Sequence, residues 1–221
     1  EKIRRICLTQ SRLRARPLAK VVLHGGFKGL NGTQLEAAWQ QFFETIEPPE
    51  KADVLILPWA TPAKSHQQIE SSFLKRVHKY WHVKTSVPEM LSSASALDEY
   101  FEKKPQNRAT LIYLPGGILG DKAVAEMQKA LPNRTSVLAQ KNVTFAGVSA
   151  GAYALMAFYY HPLQKEFLPG GGLIRGGLCC HADDKRQQNI RAMNMPDLER
   201  LYMLPDGHFQ VITAPEALAV T

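Results

Sequence analysis

NVTFAGVS (142–149), followed by AGAYALMAFYY (150–160), predicts a buried β-strand running straight into a helix with almost no loop between them. The junction, Gly147-Val148-Ser149-Ala150-Gly151, is a G-x-S-x-G pentapeptide in the strand-turn-helix setting of a nucleophile elbow. In such an elbow the serine sits on a sharp, strained turn that lifts its hydroxyl above the sheet. Side chains at 147 and 151 would crowd that turn, which accounts for both glycines. A helix opening at Ala150 aims free N–H groups and its positive end at the place where an oxyanion develops. The bland alternative is a glycine-rich β–α turn with an ordinary N-cap serine. The strand before and the helix after favour the nucleophile.

Outward from this junction, short apolar runs alternate with amphipathic ones. KVVLHGG (20–26), ADVLILPWA (52–60) and ATLIYLPGG (109–117) are strand candidates stopped by Gly or Pro. Residues 34–46 carry Leu35, Trp39, Phe42 and Ile46 on one helical face, and residues 65–80 carry Ile69, Phe73, Val77 and Tyr80. Shorter helices are expected near 96–103 and 120–131, with further strands at LIRGGLCC (173–180) and HFQVIT (208–213). Strands apolar along their whole length and alternating with helices argue for a mostly parallel sheet covered by helices on both faces, a three-layer α/β sandwich. No repeat or composition break follows residue 20. One α/β domain over 20–221 is therefore expected behind an arm at 1–19.

The composition fits that reading. The chain has 221 residues, 45% of them hydrophobic, enough for one ordinary core and too many for a disordered chain. No run approaches the roughly 18–20 apolar residues of a transmembrane helix. The net charge of +7 is concentrated in residues 1–20, which hold seven basic side chains against Glu1. The remaining body is nearly neutral, so nucleic acid is not expected as a partner, although the arm leaves weak polyanion binding open. The stretch EKIRRICLTQSRLRARPLAK has no long apolar run of the secretory type, and the chain begins with Glu, as a segment of a longer protein would. Cys7, Cys179 and Cys180 make an odd count with one adjacent pair. A disulfide framework is not expected, and a cytoplasmic location is. The Cys179-Cys180-His181 triplet lacks the spaced pairs of a zinc site, so neither metal nor cofactor is expected.

A serine nucleophile needs a base, and usually an acid to orient the base. Seven histidines compete. His66, His78 and His82 fall in or near the second helix, His24 ends the first strand and His161 trails the elbow. His181 and His208 follow strands downstream of the serine, where a partner can return to the carboxyl edge of the sheet. Gly116 and Gly117, directly after a strand, can lend N–H groups to an oxyanion together with Ala150.

ADVLILPWA, LIYLPGG, GVSAGAYAL and GGLIRGGLCCHADDKR, in that order, resemble the peptidase E (aspartyl dipeptidase) and cyanophycinase family. That family lies within the class I glutamine-amidotransferase-like superfamily, whose fold is flavodoxin-like. The resemblance covers roughly residues 20–213. It implies a serine peptidase acting on small peptides, with Ser149 as nucleophile and His181 as base. It places the acid between them, where Glu166 is the sole candidate among 150–180; Asp183 and Asp184 are the alternatives if the acid approaches from the other side of the histidine. It also implies an oxyanion hole from Gly117 and Ala150, a structural role for His208, and a basic residue after the histidine to hold a substrate carboxylate. Arg186 fits that last role, with Arg191 in reserve. Pro115-Gly116-Gly117-Ile118 departs from the family's usual Gly-Gly-Gly-Asn, so Ile118 sets an apolar group at the mouth of the site. The expected partner is a small peptide, and a homodimer is compatible with the sequence.

Two other classes fit parts of the pattern. An α/β-hydrolase esterase would use His24-Gly25-Gly26-Phe27 as its oxyanion strand. More than about 120 residues then separate that segment from Ser149, and only about 70 follow it, which leaves little room for the strands of that fold. A non-catalytic binding module of the same shell is the other.

Overall fold

The structure, a computed structural model, describes residues 19–103, 108–130, 142–193 and 200–213. Most of the basic arm, including Cys7, lies outside the described residues.

Two sheets organise the chain. The larger has six strands: β1 (Lys20–His24), β2 (Asp53–Ile56), β3 (Glu89–Met90), β4 (Thr110–Leu114), β5 (Val143–Val148) and β10 (Phe209–Thr213), in the order β10-β1-β5-β4-β2-β3. All neighbours are parallel except the antiparallel edge strand β10. Side chains alternate across it. Val22, Val54, Ile56 and Leu111 face Phe42 and Phe43 of α1 (Gly32–Ile46) and Phe73 and Val77 of α2 (His66–Tyr80). Each such phenylalanine, fully buried, contributes about 1.5–3 kcal/mol from the transfer of its side chain out of water. Leu23, Leu55, Ile112 and Phe145 face the other way. They pack on α3 (Ala94–Lys103), α4 (Gly120–Lys129) and the second sheet. Among the described residues no helix is long and apolar enough to cross a membrane.

The second sheet joins β6 (Met156–His161), β7 (Glu166–Pro169), β8 (Ile174–Cys180) and β9 (Leu201–Leu204) in the order β7-β6-β8-β9. It corrects the expected long helix after Ser149. That helix, α5, is one turn, Ala150–Tyr153, and the chain re-enters a strand at Met156. AGAYALMAFYY is apolar on every side, so it has no 3.6-residue face to mark a surface helix, and Phe158 to Tyr160 are good strand residues. The last helix among the described residues, α6 (Asp184–Arg191), follows β8 and is N-capped by Asp183, whose carboxylate accepts from the Arg186 N–H at 2.8 Å.

Register sets the geometry of the carboxyl edge. His24 pairs with Val148, and Leu114 with Gly147. The Gly25-Gly26 turn, Ser149 and the Gly116-Gly117 loop therefore leave the sheet side by side. In the second sheet Cys180 pairs with Leu204, so the residues after β8 and β9 emerge together.

Candidate active site

Ser149 has φ 49° and ψ −114°, a conformation that L-residues adopt only where the surroundings force it. Close packing supplies the force. A Cβ on Gly151 would lie 2.2 Å from the Leu114 carbonyl oxygen, and one on Gly147 2.7 Å from Cα of Ala152. Strand β4 and the helical turn thus close on the elbow from both sides.

The Ser149 hydroxyl lies 2.8 Å from Nε2 of His181, the first residue after β8. Nδ1 of His181 lies 2.7 Å from Oδ1 of Asp206, in the connection from β9 to β10. An ionised carboxylate only accepts, so Nδ1 carries the proton and Nε2 is free to accept from the serine. The three side chains form one continuous chain of contacts, the arrangement that a nucleophile, a base and an orienting acid require.

The carboxylate that the structure brings to His181 is Asp206 and not the expected Glu166. Glu166 opens the edge strand β7, paired opposite His161, and is exposed. Strands β6 and β8 lie between it and β9, and β7 is two strands from β8, about 10 Å at the usual spacing. Asp183 and Asp184 belong to the start of α6, where Asp183 is occupied as the cap. Asp206 was hidden by the expectation that the acid precedes the histidine. The available signal was the Pro205-Asp206-Gly207 turn directly before the HFQVIT strand, a stretch from which the sequence reading takes only a structural His208.

The end of β1 holds all three members in place. The carbonyl of His24 accepts from the Ser149 N–H at 2.9 Å, that of Gly25 from the His181 N–H at 3.1 Å, and that of Gly26 from the Gly207 N–H at 2.8 Å. The Lys28 N–H donates to Oδ1 of Asp206 at 2.7 Å. Gly26, at φ 120°, lies against the imidazole of His181, where a Cβ would come within 2.2 Å of Cε1. The turn is fixed in part by His24, whose Nδ1 accepts from the Gly26 N–H at 3.0 Å. The His24 ring is fully buried and stacked on Phe27, and its Nε2 has no hydrogen-bond partner among the described residues. Burial, followed by the nearby His208 and His181, lowers its pKa to about 3, so it stays neutral. The Gly25 N–H donates to the His208 carbonyl at 2.9 Å, the scaffold contact of His208.

The Gly116-Gly117 loop lies against the serine, and a Cβ on Gly116 would be 3.3 Å from that of Ser149. The N–H groups of Gly117 and Ala150 are not among the donors used by turns and loops of the described residues. Both glycines line a hollow of about 410 Å³ with Ser149, whereas Gly117 and Ala150 line a neighbouring one of about 330 Å³. Arg186 lines the smaller hollow and donates from Nη1 to the Cys180 carbonyl at 2.7 Å. Ile118, 84% exposed, stands on its rim, and Arg191 ends α6. Cys180 is close, its Sγ 3.7 Å from the Ser149 carbonyl. Burial pushes its thiol well up and that of Cys179 to about 11, so neither is a thiolate near neutral pH. Among the described residues no cluster of three His, Cys, Asp or Glu side chains has metal-binding geometry.

No family model matches the sequence, and no curated protein matches it. Solved structures do share its fold. A peptidase from an acI-B1 Actinobacterium superposes with a TM-score of 0.57 at 17% identity, over 90% of this chain and 85% of the other. A protein of Listeria monocytogenes EGD-e named as a peptidase E superposes with a TM-score of 0.57 at 14% identity, over 91% and 97%. The fold is thus an α/β layered one of the peptidase E type, in agreement with the architecture expected from the sequence.

Proposed function

We propose that the protein is a serine peptidase of the peptidase E type that cleaves small peptides through an acyl-enzyme on Ser149. The observation that carries the reading is the continuous relay Ser149 Oγ–His181–Asp206, with contacts of 2.8 and 2.7 Å. The names of the fold neighbours, a peptidase and a peptidase E, support peptide hydrolysis as the reaction class.

His181 Nε2 takes the hydroxyl proton as Ser149 Oγ bonds to the scissile carbonyl carbon. Asp206 stabilises the imidazolium and holds its orientation. The oxygen that gains the negative charge is met by the N–H groups of Gly117 and Ala150. One such donor is worth about 2.7–4 kcal/mol of barrier. The C–N bond then breaks, and the amine leaves with the proton from His181. Water, deprotonated by His181, releases the acyl group and restores the serine. Arg186 serves as a charged contact for the substrate in the smaller hollow, and Ile118 as an apolar one at its mouth.

The test is hydrolysis of a panel of dipeptides and tripeptides, N-terminal Asp peptides among them. Wild-type protein releases amino acids and the Ser149→Ala protein does not, while circular dichroism of the two coincides. Equal release by both proteins would end the proposal.

A further inference from the structure

The larger hollow beside Ser149 has a composition that the catalytic relay does not need. Its walls include Phe27, Trp39, Phe73 and Tyr113, with Ile69 of α2 beside them. Phe27 and Trp39 are stacked with centroids 3.6 Å apart, and Phe73 packs on Tyr113 at 4.8 Å, so the rings of the aromatic wall hold one another in place. Arg76 is the one Lys, Arg, Asp or Glu among the lining residues. Its guanidinium carbon sits 3.8 Å from the centre of the Trp39 ring, and Nη1 donates to the Ser72 carbonyl at 3.0 Å. Stacking uses the face of a guanidinium and leaves its N–H edge for a planar anion. Among the described residues no carboxylate is ion-paired with it. Glu36, whose ionisation Arg76 assists, is engaged by Lys79 and Tyr80. The smaller hollow differs, with Asp121 set among Lys122 and Arg186.

A cation beside aromatic walls recognises a ligand that joins a large apolar group to an anion. We propose that this hollow is the subsite for a C-terminal aromatic residue of a small peptide, its ring between the aromatic walls and its free carboxylate on Arg76. The proposal rests on the peptidase reading above and adds the class of substrate residue. An aspartyl side chain is too small and too polar to fill a space of about 410 Å³ lined in this way.

The test uses the Ser149→Ala protein, which binds without turnover, and calorimetry with N-acetyl-L-phenylalanine, its carboxamide and N-acetyl-L-aspartate. The phenylalanine acid is expected to bind about tenfold or more tightly than either of the others, the range of one charge-assisted hydrogen-bonded contact or one buried ring. Adding Arg76→Gln should bring the ratio of acid to amide close to one. A merely structural role for Arg76 would weaken both ligands and leave the ratio unchanged. Equal binding of acid and amide with Arg76 present, or a ratio that survives Arg76→Gln, overturns the subsite. Labelling of Ser149 by a fluorophosphonate in the otherwise unaltered protein and in its Arg76→Gln variant separates the two levels. Labelling with a ratio of one throughout refutes the subsite and keeps the peptidase, whereas absence of labelling refutes the peptidase itself.

Discussion

Replacing Asp206 by Asn removes one negative charge and little volume. Oδ1 of Asp206 accepts from His181 Nδ1 and from the Lys28 N–H, each at 2.7 Å. The Lys28 N–H can only donate, so an Asn has two choices. With its oxygen toward both donors, the geometry survives but the imidazolium formed during attack loses its counter-charge. With its amide toward His181, the ring takes the other tautomer, Nε2 carries the proton and the serine has no base. In comparable relays the second outcome reduces kcat by about 10⁴, or roughly 5.4 kcal/mol of barrier at 1.36 kcal/mol per decade. A fall of about 10³–10⁴ in kcat is therefore expected, with KM little changed because Asp206 faces His181 and not the two hollows. Steady-state peptide hydrolysis measures it, with thermal denaturation as the control for folding. Glu166→Gln, on the exposed edge strand, should stay within about twofold of wild type. Retention of more than a tenth of kcat in Asp206→Asn, or a hundredfold loss in Glu166→Gln, would refute the assignment of the acid.

Three further outcomes follow from the geometry. His24 is neutral in the fold, with a pKa lowered to about 3, while its unfolded value is near 6.5. Between those values the unfolded chain binds the extra proton, so the contribution of this site is full above pH 6.5 and is lost as pH falls toward 3, at up to about 1.4 kcal/mol per pH unit. Urea midpoints between pH 7 and 4 should fall less steeply for His24→Gln than for wild type; parallel slopes would remove His24 as the titrating group. Gly151→Ala drives a Cβ against the Leu114 carbonyl oxygen at 2.2 Å. It should cost about 1–3 kcal/mol by chemical denaturation and misplace the elbow, and an unchanged midpoint would show that the contact relaxes freely. Phe43→Ala empties a fully buried site between α1 and the sheet and should cost about 3–5 kcal/mol in the same assay.

The four main parallel strands were legible in the sequence because each is a short apolar run, three of them ended by Gly or Pro, as in KVVLHGG and ATLIYLPGG. The helices at 32–46 and 66–80 were legible because each shows one aromatic-rich face. The second sheet was mostly not. Of its four strands only β8 was marked as one. Met156–His161 lies in an unbroken apolar run, Leu201–Leu204 is four residues long, and Glu166–Pro169 is half exposed, so none has a clear period of two. The elbow was readable because Gly147 and Gly151 record a steric demand that acts within five residues. His181 could be placed among the candidates because it ends a strand. Asp206 depends on the pairing of Cys180 with Leu204 across β8 and β9, a long-range register that local spacing does not carry. The roles of His24 and Arg76 likewise come from rings and turns brought together by folding, and nothing in KVVLHGG or FLKRVHKY marks them.

The central claim is that Ser149 is an activated nucleophile, and a fluorophosphonate probe followed by peptide mapping measures that directly. One adduct is expected, on the Ser149 hydroxyl, formed in wild-type protein and lost when His181 is replaced by Ala. No adduct, or an adduct at Ser149 whose rate is unchanged in His181→Ala, would contradict a relay that begins at this serine.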